Sequence, residues 1–215
     1  MSDAPVTPPK NESAADARTD PEAQRVDALA REILRDDYLH FALDRLELVE
    51  DKDGVSVNLR LTRSGRGETV VIAGHGVGLM DAFFEGVIKT FAGEYPSLKT
   101  IAVSDFRVGS GFDDAKGRRT DALAVATLRM KNSEQVAFEF ARATPSVTRS
   151  SVRVGLDAMA FFINAERAYV QLHLAMQDAK SRRRSDLVER YRSQMSTIVQ
   201  ATSYSEVIAR LREAE

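Results

Sequence analysis

Hydrophobic and polar residues alternate through Val55, Val57, Leu59 and Leu61, directly after Asp53-Gly54, a dipeptide that tolerates positive φ. That pattern predicts a hairpin with arms FALDRLELVE (41–50) and VSVNLRL (55–61). A third strand, ETVVIA (68–73), runs into three alternating glycines, Gly74, Gly76 and Gly78. The period then lengthens: Met80, Phe83, Phe84, Val87, Ile88 and Phe91 share one face of a helix. The same order returns downstream. TIAVSDFRV (100–108), TDALAVATLRM (120–130) and EQVAFEFARA (134–143) read as strands. TPSVTRSSVRVGLDAMAFFINAERAYVQL (144–172) reads as a long helix with Val152, Leu156, Met159, Ala160 and Ile163 on its apolar side. The expected fold class is α+β: two β-β-β-α units, a pseudo-twofold internal repeat over residues 41–170, divided as 41–95 and 100–170. One helix cannot cover the apolar face of a sheet, so pairing of units, then of chains into a homodimer, is expected.

The flanks read differently. Residues 1–19 hold three of the six prolines and no aromatic residue, the composition of a disordered tail. Asp20-Pro21-Glu22 has the form of a helix start, and Val26, Leu29, Ala30, Ile33 and Leu34 make one stripe. These predict a helix over 21–36 within an N-terminal segment 20–40. Residues 171–215 are more polar and read as accessory C-terminal helices. Leu187, Tyr191, Met195 and Ile198 form a thin stripe there, and Ser203 with Glu206 has capping-box spacing.

Composition narrows the chemistry. The chain contains no cysteine, which excludes disulfides, thiolate catalysis and cysteine-ligated metals. A net charge of −2 gives no pull toward nucleic acid or anionic lipid. No apolar run approaches the roughly 20 residues that span a bilayer, and no secretory leader is visible. The expectation is a cytoplasmic protein with no nucleic-acid or membrane partner. His40, His75 and His173 are far apart, and Asp105, Asp113 and Asp114 lack catalytic or metal-ligand spacing, so no metal and no cofactor are expected. The basic cluster Lys180, Arg182, Arg183 and Arg184 is flanked by Asp178, Asp186 and Glu189, the pattern of a solvated helix junction.

The glycines carry the sharpest candidate. A strand ending in G-x-G-x-G before a helix brings bare backbone N–H groups to a helix N-terminus, where a phosphate or carboxylate is favoured. A tight structural turn explains the same residues. The named nucleotide motifs do not fit: Leu79 stands where a dinucleotide fingerprint needs glycine, and no Gly-Lys-Ser/Thr follows.

GHGVGLMDAFFEGVIKTF resembles the G-x-G-x-G-P-[VL]-D-A motif of the C-terminal regulatory domain of 2-isopropylmalate synthases, shared with citramalate synthases. Pro145, Ser146, Val147, Thr148, Ser151 and Asn164 are similar to that domain's second signature, and VSDFRV resembles its aspartate–aromatic strand. The resemblance covers about residues 41–170. It implies a dimer of β-β-β-α pairs that binds an end-product amino acid, leucine or isoleucine, and signals to a catalytic barrel. A (β/α)8 barrel takes roughly 250 residues, so a non-catalytic module acting in trans on a partner synthase is expected. Carried over, the ligand residues are Gly74, Gly76, Val77, Gly78, Met80 and Asp81, then Val103 and Phe106, with Ser110 and Ala122 at the edge of the alignment. Asp81 is the candidate for the ammonium group. The chain departs from the family at Leu79 (proline there), Val77 (commonly asparagine), Phe106 (tyrosine) and Ala141-Arg142-Ala143 (a glycine pair). Those departures support an alternative, a dimerisation module that has lost its ligand.

Overall fold

The computed structural model describes residues 20–64, 67–110 and 123–213, with Ser110 described in its backbone alone. The expected tail, 1–19, lies outside them. Six strands form two antiparallel three-stranded sheets in simple order: β1 (Phe41–Asp51), β2 (Gly54–Arg63) and β3 (Glu68–Gly76), then β4 (Ala102–Ser110), β5 (Ala124–Lys131) and β6 (Ala137–Thr144). A helix follows each sheet, α2 (Leu79–Phe91) and α3 (Val147–Ser181), as the alternation predicts. Helix α1 (Pro21–Leu34) precedes them, and α4 (Ser185–Ile198) and α5 (Ser205–Glu213) follow. The β1–β2 turn closes with Asp51 opposite Gly54, whose φ of 137° needs the missing side chain. At the head of α1, Asp20 accepts the Glu22 N–H at 3.0 Å, with Pro21 in the first turn.

The ladders make the duplication concrete. Leu46 pairs with Leu59, and Leu59 with Ile72, just as Phe106 pairs with Leu128 and Leu128 with Phe140. Each first strand also breaks register at the same place, between Leu43 and Arg45 in β1 and between Val103 and Asp105 in β4. Helix α2 lies on β3 and β2, whereas α3 lies on β5 and β6. The inner faces of the two first strands stay more open. Leu48 is 38% exposed, and Val103 and Val108 are each 41% exposed.

Helix α3 is the centre of the core. Every residue from 158 to 166 is buried, because the helix touches α1, α2, α4 and the second sheet on different sides. It runs to Ser181, past the expected helix end at 172 and the unit boundary at 170, since no glycine or proline interrupts it there. Asn164, fully buried on α3, accepts the Leu39 N–H at 2.8 Å and donates to the Leu39 carbonyl at 2.9 Å. The approach to β1 is thereby fastened to the middle of α3. Buried Glu166 accepts the Ser97 N–H at 3.0 Å and so ties down the linker between the units. Asn132 does the same for the C-terminal turn, donating to the carbonyls of Gln200 and Ala201, both at 3.1 Å.

The two helices that follow the sheets meet at Gly155. A Cβ there would fall 2.5 Å from Cε1 of Phe83, a ring with no exposed surface and no room to withdraw. Overpacking costs about 1–3 kcal/mol, and the better helix propensity of alanine returns about 1 kcal/mol. Gly155→Ala is therefore expected to lose about 1 kcal/mol net, read from the denaturant midpoint at unchanged slope.

At the C-terminus the expected capping box does not form. The Ser203 hydroxyl points to Ser205 Oγ at 3.4 Å, while Glu206 faces Lys99 and Arg210. The basic cluster sits at the α3–α4 junction, where Arg182 pairs with Asp178 and Arg184 with Asp186. No helix among the described residues is long and apolar enough to cross a membrane.

Candidate ligand site at the strand–helix junction

Gly74 and Gly76 lie inside β3, beyond the expected strand end at residue 73, opposite Val57 and Val55. Both share the inner face with Ile72, so they look toward α2. A Cβ on Gly74 would stand 2.0 Å from the Ala82 carbonyl oxygen and 2.7 Å from the Gly86 nitrogen. On Gly76 it would stand 2.5 Å from Asp81 Oδ2 and 2.6 Å from the Ala82 nitrogen. Gly86 answers from the helix, where a Cβ would meet Ile72 Cγ2 at 2.8 Å. The two backbones lie directly on one another, a contact only glycines allow. The first two glycines of the motif are thus required by packing.

Gly78 differs. No atom lies within 4 Å of the position its Cβ would take, and its φ of −159° is ordinary extended backbone. It is the N-cap of α2, with no side chain capping the helix start. Its carbonyl accepts the first helical bond, from Ala82 N–H at 2.9 Å. Beside it Val77 is 91% exposed. Asp81, exposed in the first turn, accepts the Val77 N–H on Oδ2 at 3.0 Å, a brace across the entry to the helix. His75 projects from the opposite face of β3, its ring Nδ1 3.1 Å from Ser56 Oγ, while its backbone N–H donates to Glu85 Oε2 at 3.4 Å.

The second unit builds the same junction with other residues. By ladder position Arg142 matches Gly74, Thr144 matches Gly76 and Ser146 matches Gly78. Here hydroxyls close the helix start. Ser146 Oγ accepts the Arg149 N–H at 3.3 Å, and Thr144 Oγ1 donates to the Ser146 carbonyl at 2.9 Å. Buried Ser150 accepts the Thr144 N–H at 2.9 Å and donates to the Ala124 carbonyl at 2.7 Å. Arg142 forks onto Asp157 of α3. The start of α3 carries a serine cap, whereas α2 has no side-chain cap and is braced by Asp81 on the Val77 N–H instead.

Of the remaining site residues, Met80 is half-buried against the core. Val103 and Phe106 stand on the inner face of β4, opposite Met130 and Leu128, and Ser110 ends that strand opposite Ala124. Ala122 lies outside the described residues. Within one chain the candidates form two groups: α2 packs chiefly on β3, and β4 chiefly on β5. The Arg142–Asp157 pair escaped sequence reading, because nothing in the spacing of a strand arginine and a helix aspartate shows that they meet. No family model and no curated protein matches the chain.

Proposed function

We propose that the chain is a non-catalytic regulatory module, working as a homodimer, that binds a branched-chain amino acid at the start of α2 and acts in trans on a partner synthase. The resemblance of residues 74–91 and 145–164 to the regulatory domain of 2-isopropylmalate synthases suggests the ligand class. The observation that carries the reading is the contrast between the two helix starts: α2 has no side-chain cap and open space above Gly78, whereas α3 is closed by hydroxyls. Uncommitted first-turn N–H groups and the positive end of the helix suit a carboxylate. Asp81 Oδ1 is available to an ammonium, since Oδ2 is the oxygen that holds Val77. The open inner face of β4, with Val103 and Phe106, would lend apolar surface across a dimer.

One observation favours a second reading, a dimerisation module without a ligand. Gly74 and Gly76 are explained by the closeness of α2 and need no ligand to account for them. Calorimetric titration with leucine, isoleucine and valine, on wild type and Asp81→Ala, separates the two. Saturable heat from one of them, lost in Asp81→Ala, is the expected result, with stability rising by about 2.7 kcal/mol at 100 times Kd. A dimer that gives no heat with any of the three would establish the second reading.

A further inference from the structure

The register that lays Gly74 beneath α2 sets Arg142 beneath α3. Beside it is a cavity of about 220 Å³ bordered on another side by α1, a helix with no counterpart in the first unit. Its charged walls are two arginine–aspartate pairs, with Gln24, Tyr38 and His40 beside them. Asp27 Oδ2 accepts Arg31 Nε–H at 2.8 Å, and Oδ1 accepts the Tyr38 hydroxyl. Across the cavity Asp157 takes the fork of Arg142, with Nη2 on Oδ1 at 3.1 Å and Nε on Oδ2. Each oxygen of the two carboxylates already accepts one bond. The arginines keep more in hand: a guanidinium carries five N–H groups, and Arg31 commits one and Arg142 two to these aspartates. The Arg31 guanidinium also lies 4.0 Å over the Tyr38 ring, which holds it in place. Burial, and then Asp27, raises the Tyr38 phenol, so its hydroxyl stays a donor to Asp27. The apolar part of the wall is Ala141 and Ala160, with Phe140 and Phe161 edge to face at 5.4 Å.

We infer that this cavity binds a compact organic carboxylate, its oxygens on the uncommitted N–H groups of Arg31 and Arg142 and its short apolar body against Phe140 and Phe161. A cation would meet two guanidinium charges and carboxylates already bonded on every oxygen. An uncharged apolar guest would bury the arginine donors without a partner. The volume is below the roughly 300–1,000 Å³ of sites for drug-sized ligands, so the ligand has few atoms. None of these residues belongs to the α2 junction, and the inference does not depend on the function proposed there.

The test titrates the ¹⁵N-labelled chain with isovalerate, with isopentanol as its uncharged match and inorganic phosphate as a plain anion. Isovalerate is expected to give saturable shifts at the amides of Arg31, His40 and Arg142, while the alcohol and phosphate bind more weakly by tenfold or more. Arg31→Gln, at a half-exposed position that leaves the fold alone, is expected to weaken isovalerate roughly tenfold to a hundredfold at unchanged melting temperature. Asp81→Ala should leave that affinity unchanged. The inference is overturned if isovalerate does not saturate, or if the alcohol or phosphate binds equally well. It is also overturned if Arg31→Gln binds as wild type does, or if Asp81→Ala abolishes binding.

Discussion

Gly74→Ala is expected to destabilise the chain by about 3 kcal/mol or more, at the top of the usual overpacking range. The added methyl would meet backbone on both sides, the Ala82 carbonyl and the Gly86 nitrogen, so relief requires α2 to move as a body. For a chain of this size the melting temperature should fall by about 6–12 °C. Gly78→Ala is the internal control. Its methyl enters open space, the unfolded chain loses about 0.4–1 kcal/mol of entropy, and the weaker N-cap gives back about as much. The expected change is within about 0.5 kcal/mol of zero. Similar losses at both positions would refute the division of the motif into two packing glycines and one open one.

The second large effect is expected at Asn164. Asn164→Leu keeps the branched shape and heavy-atom count but removes both partners of Leu39, leaving a buried N–H and a buried carbonyl unpaired. At about 1–3 kcal/mol for each orphaned group, the loss should reach about 3–5 kcal/mol, a large share of a typical domain's stability. Chemical denaturation would measure it. Hydrogen exchange would localise it, since the Leu39 amide should lose protection before the sheets do. A loss below about 1 kcal/mol would mean that the clamp is redundant.

Much of the architecture was legible because burial imposes its period on the chain. Val55, Val57, Leu59 and Leu61 alternate and are all buried, while Phe83, Val87 and Phe91 follow helical spacing and are buried too. Legibility failed where a distant element decides. Glycine disfavours strands, so β3 reads as ending at Ala73, yet pairing with Val57 and Val55 carries it to Gly76. Ser203 and Glu206 have the spacing of a capping box, but Lys99 and Arg210 draw the glutamate away. The β5 strand begins at Ala124 and β6 at Ala137, each later than the alternation suggests, with 120–122 outside the described residues.

The site was legible only as a motif. A glycine needed for a ligand and one needed beneath a helix look alike in sequence, since both report a missing Cβ. Only the distances to Ala82, Asp81 and Gly86 tell them apart. The contrast between the two helix starts was written in Gly78 and Ser146. It became readable once the ladders placed the two residues in equivalent positions.

In the proposed function the uncapped start of α2 receives an amino acid and the serine-capped start of α3 does not. Mapping amide shifts on the ¹⁵N-labelled chain during titration with leucine, isoleucine and valine tests this directly. The expected result is saturable movement of Gly76, Val77, Gly78, Met80 and Asp81 with at least one of them, while Ser146 to Ser150 stay still. Shifts centred on Ser146 to Ser150, or no shift at residues 76–81 with any of the three, would contradict it.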